Sequence, residues 1–275
     1  MAGRASMAVV RSPTLRPSTW PAGRRRVLGY ALVALVGAAL LYAGARETSA
    51  FAFRSVELEG ARGAVAEDVR KALRTLEGES LVALDPGDVE SLLRSLPAVR
   101  DARVDRAFPH TLSVVVEPER PLVVLEDGGR AWVVAESGRV IAAVEPGARP
   151  RLPRLLAEVA EPPPVGASLG GIQMSETLAA LAAIPKRFPG GVASAERGEA
   201  GLVLTLDTGL EVRLGEPVDA EAKLAAAAAV IRALPDEELA LYGYVDASVP
   251  ARVVAGSEPQ PSSDGLEFDD ELPAN

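Results

Sequence analysis

Residues Val27 to Ala45 read VLGYALVALVGAALLYAGA, nineteen positions without a charge. As a helix the run is ~28 Å long at about 1.5 Å per residue, close to the hydrocarbon thickness of a bilayer. It has no polar face, so it does not fit half-buried on a water-soluble core. The chain is therefore constrained to a single membrane span followed by folded material. Arg4, Arg11, Arg16, Arg24, Arg25 and Arg26 precede the run, with no acid among residues 1–26. The positive-inside rule places this N-terminus in the cytoplasm and everything past Arg46 outside. Tyr30 and Tyr42 lie near the two ends, as interfacial anchors do. A cleaved signal peptide is the second reading, because Ala43-Gly44-Ala45 has the small-x-small cleavage pattern. The long basic segment, and an apolar run exceeding the usual ~7–15 residues, favour an uncleaved anchor over 27–45. Residues 1–26 read as a basic cytoplasmic tail, and 1–22, interrupted by Pro13, Pro17 and Pro21, as disordered.

The exported part has no cysteine, so apolar cores alone must hold it. Past Arg46, 22 basic residues stand against 38 acidic ones, a net charge of -16. That balance is a poor match for nucleic acid, where affinity rests on neutralising phosphates. One histidine and no cysteine leave soft-metal sites and most nucleophile–base pairs without parts. His110 reads as a solvent-exposed turn residue. Asp127-Gly128-Gly129 lacks the spacing and the lysine of a phosphate loop. No catalytic residue, metal or cofactor is expected.

Residues 53–121 give an ordered series of elements. Val56 and Leu58 alternate with Ser55, Glu57 and Glu59 in a half-buried strand ending at Gly60. Val65, Val69, Leu73 and Leu76 recur at helical spacing over 64–76. Asp85 is an N-cap and Pro86 suits the first position of a second helix, with Val89, Leu92, Leu93 and Leu96 inward and Glu90 towards water. Leu96 to Pro121 then forms two antiparallel strands around a turn at Ala107-Phe108-Pro109-His110. Leu112, Val114 and Val116 share one face of the second strand; Ser113, Val115 and Glu117 share the other. The order is β-α-α-β-β, with two helices over one face of a small sheet.

Residues 122–255 read as a larger sheet-rich α+β region. Leu122–Leu125, Ala131–Ala135, Val140–Val144, Val192–Ala195, Gly201–Leu206, Leu210–Leu214, Tyr242–Asp246 and Arg252–Val254 are expected strands. Arg149–Arg154 and Glu161–Pro164, rich in proline, read as surface connections. Helices are expected from near Ser175 to Ile184 and from Asp219 to Leu234, with Leu224, Ile231 and Leu234 inward. Residues 256–275 hold six acids and no base and read as a disordered acidic tail.

With these elements in place, the chain resembles the FtsQ/DivIB family of bacterial cell-division proteins. FAFRSVELEG and LVALDPGDVESLLRSLPAVRDARVDRAFPHTLSVVVEPERP carry the resemblance over 53–121, which looks like a POTRA domain of the FtsQ type. AWVVAESGRVI, RLPRL, TGLEVRLGEPVDAEAKL and YVDASVPARVV carry it over the C-terminal region. Each fragment is weak alone; their order behind a signal anchor is specific. The family often has tryptophan where Ala98 and Phe108 stand here. Phe108 keeps an apolar ring and Ala98 does not, which puts a surface contact through the first ring in doubt.

The resemblance implies a non-enzymatic divisome scaffold in the bacterial plasma membrane at the division septum, held in the lipid by residues 27–45. Its implied partners are FtsB/FtsL (DivIC/FtsL)-type proteins and the septal wall synthase complex. They would bind by adding a strand to the edge formed by Tyr244, Val245, Asp246, Ala247 and Ser248 together with Arg252, Val253 and Val254. An unpaired edge offers main-chain groups that another chain can satisfy. A membrane-anchored POTRA module of an envelope export system, acting as a chaperone for extended polypeptides, is the alternative. A wall hydrolase requires an acid–base pair that the sequence does not display.

Overall fold

The computed structural model describes residues 22–47 and 51–257. The expected basic tail up to residue 21 and acidic tail from residue 258 lie outside them. Helix α1 (Ala22–Glu47) contains the apolar window Val27–Gly44, of mean hydropathy 2.0, none of it buried. By length and composition it is a candidate membrane span.

The first folded unit has the expected strand–helix–helix–strand–strand order: β1 (Ser55–Glu59), α2 (Gly63–Leu73), α3 (Pro86–Arg94), β2 (Val99–Ala107) and β3 (Thr111–Pro118). Sheet order is β1-β3-β2, with β1 parallel and β2 antiparallel to β3. Leu112, Val114 and Val116 point inward, as their alternation predicts, and meet Val69, Leu73, Val89 and Leu93 from the two helices. Asp85 caps α3, its Oδ1 accepting from the Gly87 N–H at 2.8 Å. Gly60 has φ +84, and a Cβ there would run into the Val116 carbonyl oxygen, so the close approach of β1 to β3 requires glycine.

Two polar residues differ from expectation. Glu90 does not simply face water; its Oε1 accepts from the Val104 N–H at 3.1 Å and its Oε2 pairs with Arg94 at 3.2 Å. This ties α3 to β2. His110 is half-buried, and its Nδ1 donates to the Ala52 carbonyl at 3.0 Å. The His110 carbonyl accepts from the Arg54 N–H at 2.9 Å. The hairpin tip, whose Phe108–Pro109 bond is cis, is thus fastened to the segment leading from α1 into β1. Further bonds from Phe53 N–H to Glu79 and from Leu81 N–H to Phe51 hold that segment on its other side.

Among the described residues, the second unit is a nine-stranded sheet in the order β12-β11-β10-β9-β8-β7-β4-β5-β6. Its strands are β4 (Pro121–Asp127), β5 (Arg130–Ala135), β6 (Val140–Val144), β7 (Arg154–Leu156), β8 (Val192–Gly198), β9 (Gly201–Leu206), β10 (Glu211–Gly215), β11 (Tyr244–Asp246) and β12 (Val254–Gly256). Helices α4 (Ile172–Ala182) and α5 (Ala220–Ala233) join parallel neighbours as crossovers, as parallel pairing requires. A short α6 (Asp236–Leu239) precedes β11. Leu178 and Leu181 from α4, and Leu224, Ala227, Ala228 and Ile231 from α5, share a core with Leu204, Val212 and Leu214.

The segment expected to be surface connection up to Arg154 instead leads into the middle of the sheet. Arg154–Leu156 pairs with β4 on one side and β8 on the other, both parallel, and Leu155 is buried. Three residues beside prolines gave no periodic signal. Helix α4 begins three residues before Ser175. The Ser175 hydroxyl donates back to the Gly171 carbonyl at 3.0 Å, a bond made inside a helix rather than at its cap. Leu234 caps α5 and is half-buried, whereas Lys223 is buried in the same helix.

Candidate partner-binding edge

The residues singled out near the C-terminus fall on two adjacent strands with different roles. β11 is parallel to β10 through Glu211–Tyr244, Val212–Val245 and Arg213–Asp246. On its other side β11 is antiparallel to β12 through Tyr244–Gly256, Val245–Ala255 and Asp246–Val254. The main chain of Tyr244, Val245 and Asp246 is therefore enclosed between two strands. Among the described residues, sheet order leaves β12 as an outer strand. It begins two residues later than the sequence predicts. Arg252 and Val253 precede it, with Arg252 exposed and Val253 packed against the core, and Val254 opens it.

Side chains support this arrangement. Val245 is buried in the core beneath the strand pair. The Tyr244 ring lies over Gly256, so closely that a Cβ on Gly256 would collide with the ring. Arg213 stacks on the same ring, its Cζ 3.7 Å from the centroid, and donates to Glu211 at 3.0 and 3.3 Å. Asp246 Oδ1 accepts from the Ser248 N–H at 2.9 Å, turning the chain out of β11.

Alternation settles which β12 groups face outward. Ala247 N–H donates to Arg213, so the odd-numbered residues of β11 address β10. Tyr244 and Asp246 then address β12, and their partners Gly256 and Val254 point inward. The N–H and C=O of Ala255 are left directed at the open side. Ala255 and Gly256 were outside the expected edge, although the Tyr244 and Gly256 pair has the character of an aromatic covering an edge glycine. Among the described residues, no three of His, Cys, Asp or Glu come together to hold a metal ion.

Two family models match the chain: the FtsQ-type POTRA domain over residues 51–119, and the C-terminal domain of cell division protein FtsQ/DivIB over residues 123–248. A cell division protein FtsQ from Streptomyces bingchenggensis is 31% identical over 222 residues, covering 78% of this chain and 82% of that protein. One from Caulobacter vibrioides is 28% identical over 114 residues, or 42% of this chain and 38% of that protein. The solved major extracytoplasmic domain of DivIB from Geobacillus stearothermophilus is similar at 19% identity and a TM-score of 0.32, covering 42% of this chain and 93% of that domain.

Proposed function

Because the chain belongs to the FtsQ/DivIB family of bacterial cell-division proteins, we propose that it is a non-enzymatic, single-pass scaffold of the divisome. In this reading residues 53–121 are the POTRA domain and 122–255 the C-terminal domain, both outside the cytoplasm. Helix α1 holds them at the plasma membrane of the septum. The arginines before Val27 and the uncharged run after them support that orientation. The outer domain binds FtsB/FtsL (DivIC/FtsL)-type proteins and links them to the septal wall synthases.

The observation that carries the reading is the open side of β12. A partner segment adds to it as a further strand, taking the Ala255 N–H and C=O, while Val254, 47% exposed, offers an apolar contact. Tyr244, Val245, Asp246 and Ser248 hold β12 in place from behind, and Arg252 and Val253 lead the chain onto the edge.

Ala255→Pro tests this in the full-length protein. Proline removes an outward N–H without taking a bond from the β11–β12 ladder. Affinity for an FtsB-type ectodomain is expected to fall by about tenfold or more, the loss of one or more hydrogen bonds, with the melting temperature held. Unchanged affinity sinks the edge assignment. Depletion is expected to give filamentous or chained cells; normal septation with disturbed secretion favours an export chaperone instead.

A further inference from the structure

One end of the first folded unit is basic and carries an exposed aromatic ring, against the acidic character of the rest. Arg54, Arg70 and Arg74 line a cleft of about 210 Å³ together with Phe53, Leu73 and a single acid, Glu77. Arg70 and Arg74 make no ion pair among the described residues. Phe108 at the hairpin tip is 55% exposed, its ring edge-on to Phe51 with centroids 5.8 Å apart. The bonds of His110 to Ala52 and Arg54 place this ring and the cleft at the same end of the sheet, where β1 and β3 both begin.

The chain itself fixes how far that end can be from the membrane. Phe51 is four residues beyond Glu47, the end of α1, and Arg54 is seven. Fully extended, these segments reach at most about 14 and 25 Å. The end bearing Phe108 is therefore tethered next to the headgroup layer. An acidic body with net charge -16 past Arg46 is repelled by an anionic leaflet, so the basic end is the one electrostatics turns towards it.

We propose that this end docks on the outer leaflet, with Phe108 in the interfacial layer and Arg70 and Arg74 holding the phosphodiester of an anionic lipid headgroup. Guanidinium forks suit phosphate oxygens, and an aromatic ring suits the interface. The proposal rests on the membrane anchor assigned above. Its effect is to fix the tilt of the POTRA domain over the membrane, so that lipid composition governs how the outer domain is presented.

The absence of cysteine allows a clean test. Full-length Phe108→Cys, carrying an environment-sensitive nitrobenzoxadiazole label, is placed in nanodiscs of phosphatidylcholine alone or mixed with phosphatidylglycerol. Arg62→Cys, at the far end of α2, is the control position. The label at 108 is expected to shift to the blue in the anionic discs and the control label to stay unchanged. Arg70→Gln with Arg74→Gln is expected to lower the docked-to-undocked ratio on the order of fivefold per arginine, and the double Glu variant to abolish docking. Equal emission at both positions, or an anionic-lipid response that survives the Gln and Glu variants, overturns the proposal. A chain that stays out of the discs refutes the anchor itself; a chain in the discs with an unmoved label refutes only the docking.

Discussion

Arg139 and Val99 belong to different folded units, and the guanidinium of the first donates to the carbonyl of the second at 3.0 Å. The same side chain donates twice to the Arg94 carbonyl, both at 3.1 Å, and through Nε to Gly166 at 3.0 Å. It comes from the turn between β5 and β6 and takes a carbonyl at the C-terminal end of α3. That end of a helix has unsatisfied oxygens and a partial negative charge. Nearby, the Ser137 hydroxyl donates to the Glu119 carboxylate at 2.9 and 3.0 Å, and Glu119 N–H donates to Ala98. The link between the two units is therefore a built joint.

Arg139→Ala is expected to lower stability by about 2–3 kcal/mol, the usual range for removing a charged donor from several carbonyls. The two units should also loosen. Spin labels at Arg103→Cys and Glu221→Cys, one in each unit, are expected to give a broader distance distribution in the variant. An unchanged distribution refutes the joint. Arg139→Lys is expected to restore little, because one ammonium cannot serve carbonyls spread across a planar fork.

Lys223 is 8% exposed and donates to the Leu214 carbonyl at 3.0 Å and the Glu216 carbonyl at 2.7 Å. It fastens α5 to the end of β10. Lys223→Met keeps the stem and removes both bonds, with an expected cost of about 1–3 kcal/mol from the oxygens left unsatisfied. A denaturant midpoint followed by Trp132 fluorescence in a Trp20→Phe background checks this. A midpoint equal to that of the parent rejects the role.

Gly256→Ala is expected to displace the Tyr244 ring and loosen β12, seen as faster amide exchange at positions 254 and 256. Tyr244→Ala should remove the collision, so the double variant exchanges more slowly than the Gly256→Ala single variant predicts by addition. Additive effects in this cycle exclude a direct contact between the ring and residue 256.

Local pattern made the Thr111–Pro118 strand, the Asp85 cap and the first unit's element order legible, because each depends on residues a few positions apart. Three features were not legible for reasons of distance. β7 has three residues and owes its place to partners 30 and 40 positions away in sequence, at Val124 and Ser194. Lys223 looks solvent-facing by charge, yet its ammonium finds two strand-end carbonyls. Periodicity identified strands near Tyr244 and Val254 but did not order them. Which one lies outside follows from the parallel pairing of β11 with β10 across α5, a relation between segments that no local signal encodes.

The width of the second sheet has a consequence for how force and position are relayed. Eight interstrand steps separate β6, next to the Arg139 joint, from β12. At about 4.8 Å per step the outer strand stands ~38 Å from the joint. A mean twist of about 20° per step accumulates to ~160° across the same distance. The sheet is a ruler with a fixed screw: the axis of a strand added at Ala255 is displaced and rotated relative to that of β6. A change in the angle of the joint is magnified at that outer strand as a sideways swing, ~7 Å for each 10° by the same lever length.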